Sequence, residues 1–563
     1  MSTTQTKPLF SALLTKLEQL HLYIKENPGF KELKKQKEVI LFLSIGNMGS
    51  RATVFVSRKR SFERAWENIQ KQAIQYLKKK HFLPQFLKID WVDQEETFSI
   101  FEFIEVMTNT KKNYFRKGIA LDAEYKYAFL EQEINANAFI QINKNTRRGF
   151  LHESNIKHYI KYHRPNQPMI DFNKVNVVKT FTTKGFFYHN GTCFTLKSSE
   201  LDNGRRDTAL DQQELKHLIV SGGQFLTQNN HENGKFTYGY FSCFDKEINF
   251  YNVLRHASTL YAMCEVYECF PNQELHQAIK RGFNYLVEKG IANFQINNKL
   301  ISYVVDGIEE NNLEIKLGAN AAAILAFTKY TSVFSEDEYL PLAQQLAKGI
   351  LNLQSPNGDF CHVLKYPSLD LKEQFRIVYY DGEAAFALMN LYKLDKDDLW
   401  LQSVEKAFDS FIAKKYWKHH DHWLSYCTNE LTAYKPIRKY FQFGLLNIRD
   451  KLDFIWNRET TYPTFLELML AAYQMVQRIY DTDHYDLLKE FDEDGLIRTI
   501  HKRAEYQRNG FFYPEVAMYF KNPQRIIGSY FIRHHSFRSR IDDVEHYLSG
   551  YCQYYKLFFK TTH

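Results

Sequence analysis

The sequence predicts an α+β N-terminal domain over residues 1–200, followed over residues 201–563 by an all-α ring, an (α/α) toroid of about six helical hairpins. Three observations predict it. Short β-branched and aromatic runs with turn signals between them stop near residue 200. From about Glu214 onward, helices that are apolar all round alternate with amphipathic ones. A loop pattern of Gln followed by Asn-Gly-x-aromatic occurs three times in the second half.

A chain of 563 residues exceeds one ordinary core, and 44% apolar with 25% charged residues describes a folded protein rather than a disordered one. The first thirty residues lack a basic start, a long apolar core and a small-residue cleavage site, so no secretory signal is read. No uninterrupted apolar run approaches the length of a membrane span. The seven cysteines, an odd number scattered through apolar stretches such as those around Cys264, Cys269 and Cys552, read as buried small hydrophobes in a reducing compartment. The expectation is a cytoplasmic protein. The net charge of +8 is spread over many segments apart from Lys78–Lys80, with no basic stripe of interleaved aromatics. That argues against a nucleic-acid partner and supports at most a weak preference for anionic ligands.

In the first domain, residues 39–44 and 52–57 read as strands joined by the turn-like IGNMGSR. The pair Gly46-x-x-Gly49 has no Lys-Ser/Thr and no helix after it, so it reads as a hairpin turn and not as a phosphate loop. A helix is expected over 64–78, a strand over 86–92, and a second helix over about 122–140 with Asp122 capping it. Strands follow at 177–183, 185–189 and 192–196, with Asn190–Gly191 as a hairpin turn. Arg116, Asp122, Glu131 and Glu133 form a dense polar set that reads as surface or interdomain packing in preference to a cover over the ring.

In the second half, residues 252–270, 319–330, 383–392 and 464–476 are helices without a polar face, which must be covered on every side. Their partners bury one stripe each: Leu275, Ile279, Phe283 and Leu286; Leu342, Leu346, Ile350 and Leu353; Trp400, Val404, Phe408 and Phe411. An inner and an outer ring of hairpins requires this alternation. Gly318-Ala319 and Ala384-Ala385 let inner helices approach near the axis. The repeated loops are Gln228 with Asn233-Gly234-Lys235-Phe236, Gln354 with Asn357-Gly358-Asp359-Phe360, and Gln507 with Asn509-Gly510-Phe511-Phe512. One loop geometry used three times is expected, with a left-handed turn after an outer helix and the aromatic plugging the gap between hairpins.

The alternation and the loops resemble the (α/α) toroid superfamily of six-hairpin glycosidases, polysaccharide lyases, acylglucosamine-type epimerases, terpene cyclases and lanthionine cyclases. The resemblance is to an architecture over about 350 residues and identifies no subfamily. It implies that all inner helices start at one rim, where their first turns converge.

The unusual polar groups sit at those starts. They are Tyr251, Asn252, Arg255 and His256; Asn320; Tyr380, Asp381 and Glu383; Asp421, His422 and Trp423; and Arg538, Arg540, Asp542, Asp543 and His546. Tyr379 and Glu545 stand beside these groups, and the fifth inner helix opens after Tyr462 and carries Glu467. As catalysts, Asp381, Glu383, Asp421, Asp542 and Asp543 would supply acid and base roles across a sugar. His256, His422 and His546 would abstract a proton. As binding groups, Tyr251, Tyr380 and Trp423 would stack on sugar faces, Arg255, Arg538 and Arg540 would hold a carboxylate or phosphate, and the amides of Asn252 and Asn320 would hydrogen-bond. The competing reading makes Asp381, Asp421 and Asp542 helix caps or end charges, and pairs Arg255 with an acid across the ring.

The leading expectation is a carbohydrate-active enzyme on an anionic polysaccharide or glycan precursor, with hydrolase, lyase and epimerase left open, no cofactor and no metal. A non-catalytic binding or assembly protein with the ring as scaffold is the alternative. A zinc-dependent peptide-modifying ring of the lanthionine cyclase type comes third, since Cys361-His362 lacks the following glycine and a third ligand. Terpene cyclisation is disfavoured because Asp542-Asp543 is only a fragment of the acidic motif it needs.

Overall fold

A computed structural model describes residues 3–80, 84–198, 201–202, 204–307 and 313–560 of the chain. Strands β1 (Val39–Asn47), β2 (Ser50–Lys59), β3 (Phe86–Ser99), β4 (Gly118–Ala120), β5 (Ala128–Phe129), β8 (Val177–His189) and β9 (Thr192–Thr195) form one antiparallel sheet. Its order is β2-β1-β3-β8-β4-β5, with β9 also on β8; β6 (Ile140–Ile142) and β7 (Gly149–Leu151) pair separately. Alternation along β1 divides the core. Leu41, Leu43 and Ile45 pack with Leu17 and Leu20 of helix Thr3–Glu26 and with Trp66 and Ile69 of helix Phe62–Lys80. Ile40 and Phe42 face the other way and join Met518 and Phe520 in the core of the ring.

Two local expectations change. Residues 177–189 are one strand, not two. Residues 122–140 are not a helix, because the Asp122 carboxylate accepts from the amides of Glu124, Lys126 and Tyr127 at 2.8, 3.1 and 2.6 Å and so fixes a turn; only Glu131–Ala136 is helical there. The Asn190–Gly191 hairpin has both residues at positive φ, 49° and 83°.

The ring consists of six inner helices, Val253–Cys269, Leu317–Phe334, Tyr379–Asp395, His422–Tyr434, Thr464–Ile479 and Ile541–Phe558. Each packs against the next, and the sixth packs against the first, so the ring closes. The outer helices are Gln212–Asn229, Gln273–Gly290, Leu340–Leu353, Asp398–Ala413, Arg438–Arg449 and Glu493–Gln507. The near-absence of a polar face on the inner helices follows from this placement; in the second, Leu317 through Thr328 is buried without interruption.

The ring is not all-α. Segments that lead from an outer to an inner helix carry strands: Ile291–Ile296, Lys299–Asp306, Glu314–Lys316, Val363–Lys365 and Leu371–Glu373 form one sheet. Lys246–Glu247, Gly239–Phe241 and Arg538–Arg540 form another, which ties the first of these loops to the last. The repeated loop pattern has one geometry in two of its copies. The amide of Gly234 donates to His231 and that of Gly358 to Ser355, at 2.9 and 3.0 Å, with φ of 82° and 93°. A Cβ at either would overlap a carbonyl of the next outer helix, that of Arg281 or of Lys406. The third copy differs: Arg508–Gly510 is a 3-10 turn, and Gly510 is kept small by the hydroxyl of Tyr547.

Candidate active site

Most outer-to-inner connections are longer than the inner-to-outer ones, so the long loops gather at the rim where the inner helices begin. A cavity of about 450 Å³ opens there. Side chains of the first two turns line it: Arg255 from the first inner helix, Tyr380 and Glu383 from the third, His422 and Trp423 from the fourth, and Asp542, Asp543 and His546 from the sixth. The last long loop adds Ile532, His534, His535, Arg538 and Arg540, and the third adds Arg376 and Ile377. The second inner helix stays back. Its Gly318 has no side chain because a Cβ would overlap the Tyr380 ring and lie 2.8 Å from a Glu383 oxygen.

An ion-pair lattice forms one wall. Arg255 Nε lies 3.3 Å from Asp542, bridging the first and sixth inner helices. Arg538 grips Asp543 through two hydrogen bonds of 2.8 Å, and Arg540 reaches Asp542 at 2.6 Å and Asp543 at 3.3 Å. Burial alone would raise the carboxyl of Asp542, but the charges of Arg255 and Arg540 outweigh it and hold the group below its ordinary value. Asp542 is therefore a fixed anion, and the two aspartates together orient the three arginines.

The carboxyls at the floor and just beneath it have the opposite character: Glu383 lines the cavity, and Glu467 and Glu545 lie behind its lining. Burial raises Glu383 well above the usual carboxylate range despite Arg255 nearby. It raises Glu467 to about 8 against the pull of His422, and Glu545 to about 7 against that of His546. Neither carboxylate oxygen of Glu545 has a hydrogen-bond partner.

Two histidines meet on this floor. His422 and His546 are edge to face with ring centroids 5.3 Å apart, and His422 lies beside Trp423 at 4.7 Å. His546 Nδ1 is 3.1 Å from Glu467 Oε2, while His422 Nδ1 is 3.2 Å from Asp421 Oδ1. The second ring nitrogen of His422, Nε2, is buried without a hydrogen-bond partner. Among the described residues, His422, Glu467 and His546 are the one group of three or more metal-ligating side chains whose donor atoms come together, all within 4.8 Å.

Six of the residues expected at the mouth lie behind it. His256 is fully buried between the first inner helix and its outer partner. Its Nδ1 is 2.7 Å from the Tyr251 hydroxyl and its Nε2 is 2.8 Å from the Gly282 carbonyl, and burial lowers its basicity to about 4. Tyr251 is thereby taken up as well. Asn252 caps the first inner helix by accepting from the Arg255 amide at 3.1 Å. Asn320 accepts from the Val304 amide and donates to the Lys316 carbonyl, anchoring the rim strands. Asp421 caps the fourth inner helix through the amides of Trp423 and Leu424. Asp381 pairs with His362 Nε2 at 3.1 Å, and His362 Nδ1 accepts from the Arg376 amide at 2.9 Å. Both nitrogens of His362 are thus engaged, which removes the Cys361-His362 pair from consideration as zinc ligands.

Sequence reasoning placed Tyr379, Tyr462, Glu467 and Glu545 at the helix starts without giving them a role, and passed over Arg376, His534 and His535. The carboxylates sit one turn inside their helices, and the others belong mainly to loops, where no period signals burial. Tyr462 carries a visible mark only in the structure: its φ is 36°, a left-handed value for a bulky residue, at the cavity edge.

The N-terminal part of the chain reaches this rim. Glu131 pairs with Arg533 of the last long loop, and Lys112 Nζ donates to Ser536 at 3.1 Å. Glu133 instead pairs internally with Arg164 at 2.6 Å and with the hydroxyl of Tyr159.

No family model matches the chain, and no curated protein matches it. Solved structures similar to it include a D-mannose isomerase (11% identical, covering 61% of this chain and 96% of that one, TM-score 0.47). They also include cellobiose 2-epimerase from Bacillus thermoamylovorans (14% identical, 61% and 98%, TM-score 0.46) and an α-mannanase from Bacteroides thetaiotaomicron (10% identical, 62% and 98%, TM-score 0.43). The closed double ring of helices described above makes this chain an (α/α) toroid.

Proposed function

We propose that the chain is a carbohydrate-active enzyme that moves a proton at a sugar carbon beside a carbonyl, as an epimerase or isomerase does. The observation that carries this reading is the His422–His546 pair. Two imidazoles face each other across the cavity floor, each with Nδ1 against a carboxylate, an arrangement that orients a ring and sets its tautomer. One histidine takes the proton from carbon and the other returns one. Hydrolysis by a carboxylate pair is less supported, because Asp542 and Asp543 are bound to arginines and only Glu383 remains as an acid in the cavity lining.

Trp423 and Tyr380 supply faces for a sugar ring, and Arg255, Arg376, Arg538 and Arg540 supply donors for oxygen-rich groups. Four arginines together with six helix N-termini at one rim favour a substrate that carries a carboxylate or phosphate. Among the described residues no helix is long and apolar enough to cross a membrane, and seven free cysteines support a reducing, cytoplasmic setting.

The test is incubation of the protein in deuterium oxide with aldoses, disaccharides, sugar phosphates and uronic acids, read by proton NMR. Deuterium entering beside the carbonyl, with appearance of the epimer or ketose, is expected. New reducing ends without deuterium, or an unsaturated product, would replace this reading by hydrolysis or by elimination.

A further inference from the structure

We propose that His422, Glu467 and His546 form a Zn²⁺ site in the floor of the cavity, and that zinc held there stops the proton transfer. The second half of this statement rests on the function proposed above; the first does not.

Two histidines and one glutamate are a donor set that suits zinc, with the fourth tetrahedral position left for water from the cavity. Hard cations such as Mg²⁺ and Ca²⁺ want oxygen shells that this floor does not provide. Zinc bonds of about 2.0 to 2.1 Å in a tetrahedron set neighbouring donors about 3.3 Å apart. His546 Nδ1 and Glu467 Oε2 are already 3.1 Å apart, and one donor atom from each of the three residues lies within 4.8 Å of the others.

Three further observations favour a ligand over mere packing. His422 Nε2 is buried with no hydrogen-bond partner on a residue that is 6% exposed, a costly arrangement unless something accepts its lone pair. Asp421 Oδ1, 3.2 Å from Nδ1 of the same ring, favours the tautomer in which Nε2 carries that lone pair. This is the carboxylate-histidine arrangement that supports zinc ligands from behind. Glu467 is held in turn by the Tyr426 hydroxyl, 3.3 Å from Oε1, which leaves Oε2 for the metal.

Binding balances simply. Zn²⁺ takes lone pairs from His422 Nε2, His546 Nδ1 and Glu467 Oε2, and the proton shared by the last two leaves to solvent. The histidines that must accept and return a proton are then occupied.

The experiment uses the full chain, stripped with a chelator and titrated calorimetrically with zinc chloride, and in parallel with cobalt chloride read by visible absorption. One zinc per chain and the intense bands of tetrahedral cobalt are expected. Glu467→Gln and His546→Gln, near-isosteric changes whose folding is checked by circular dichroism, should each weaken zinc binding by on the order of a hundredfold. His534→Ala, at the rim, should leave the stoichiometry unchanged. Absence of zinc binding, or binding indifferent to Glu467→Gln and His546→Gln, overturns the site. If a sugar is turned over, zinc should abolish turnover and chelator restore it. Turnover that requires zinc overturns inhibition, turnover without any zinc binding overturns the site and keeps the function, and zinc bound by a protein inactive on every sugar keeps the site and overturns the function.

Discussion

Asn113 and Arg533 hold each other from opposite ends of the chain: Asn113 Nδ2 donates to the Arg533 carbonyl at 2.8 Å, and Arg533 Nε donates to the Asn113 carbonyl at 2.5 Å. Arg533 precedes His534 and His535 in the cavity lining, so the segment around Asn113 positions one edge of the mouth. Asn113→Ala removes a bond worth about 1 kcal/mol and is expected to raise KM roughly fivefold with little change in kcat. Initial rates across substrate concentration check this, and an equal fall in kcat would mean that the grip does more than position the rim.

The histidines separate by role. His422→Asn and His546→Asn are each expected to lower kcat by on the order of a hundredfold or more while the protein stays folded. His256→Ala should do the reverse. It leaves the Gly282 carbonyl without its imidazole donor and takes from the Tyr251 hydroxyl one partner while the Phe236 amide remains, at a cost of about 1 to 3 kcal/mol, and leaves the specific activity of the folded fraction intact. Paired urea denaturation and activity assays distinguish the two outcomes.

Stability should fall in mild acid because of His256. Its folded basicity is depressed to about 4 from an ordinary 6.5, so the unfolded chain binds the extra proton first. The contribution is complete above about pH 6.5 and is lost as pH falls from there toward 4, amounting to roughly 3 kcal/mol at the low end. No charged side chain shifts it; its neighbours are Tyr251, Tyr285, Phe236 and the Gly282 carbonyl. Urea midpoints at pH 7 and pH 5 for the natural protein and for His256→Gln should show a smaller drop in the variant.

Gly234→Ala and Gly358→Ala should each destabilise by about 1 to 3 kcal/mol, since both combine a left-handed φ with a carbonyl where the methyl would go. Thermal unfolding reads the loss directly. A neutral result at either position would mean that the loop can slide away from its neighbouring outer helix.

Asp542→Asn removes the anion that Arg255 and Arg540 share. Losing one partner of a buried pair costs about 3 to 5 kcal/mol in full, and on the order of 2 here because Arg255 is partly open to solvent and Asp543 still holds Arg540. Chemical denaturation measures it. The same variant should weaken binding of any anionic sugar by less than Arg255→Met does, as calorimetry would show.

The ring was legible because its inner helices have no polar face, and the mouth because charges interrupt those helices at their starts. Arg255 and Asp542 stand out on that ground and do meet. What a linear reading misses is direction. His256 follows Arg255 by one residue, and one residue is about a hundred degrees around a helix, enough to turn it from the cavity to the outer ring. Asp421 and His422 divide in the same way, one capping the helix and the other entering the cavity. The strands of the rim were not seen, since their short runs lie between strong helical signals and pair with segments distant in sequence. The turn at Asp122 was read as a helix start because an aspartate that caps a helix and one that closes a turn are the same residue in a sequence.

Because the sixth inner helix packs against the first, and Gly239–Phe241 is stitched to Arg538–Arg540 across that seam, no hairpin of the ring is terminal. An open stack of helical repeats can fray inward from either end. Here, parting any one seam bares the apolar flanks of two inner helices at once, so the whole ring should melt in a single concerted transition rather than peel.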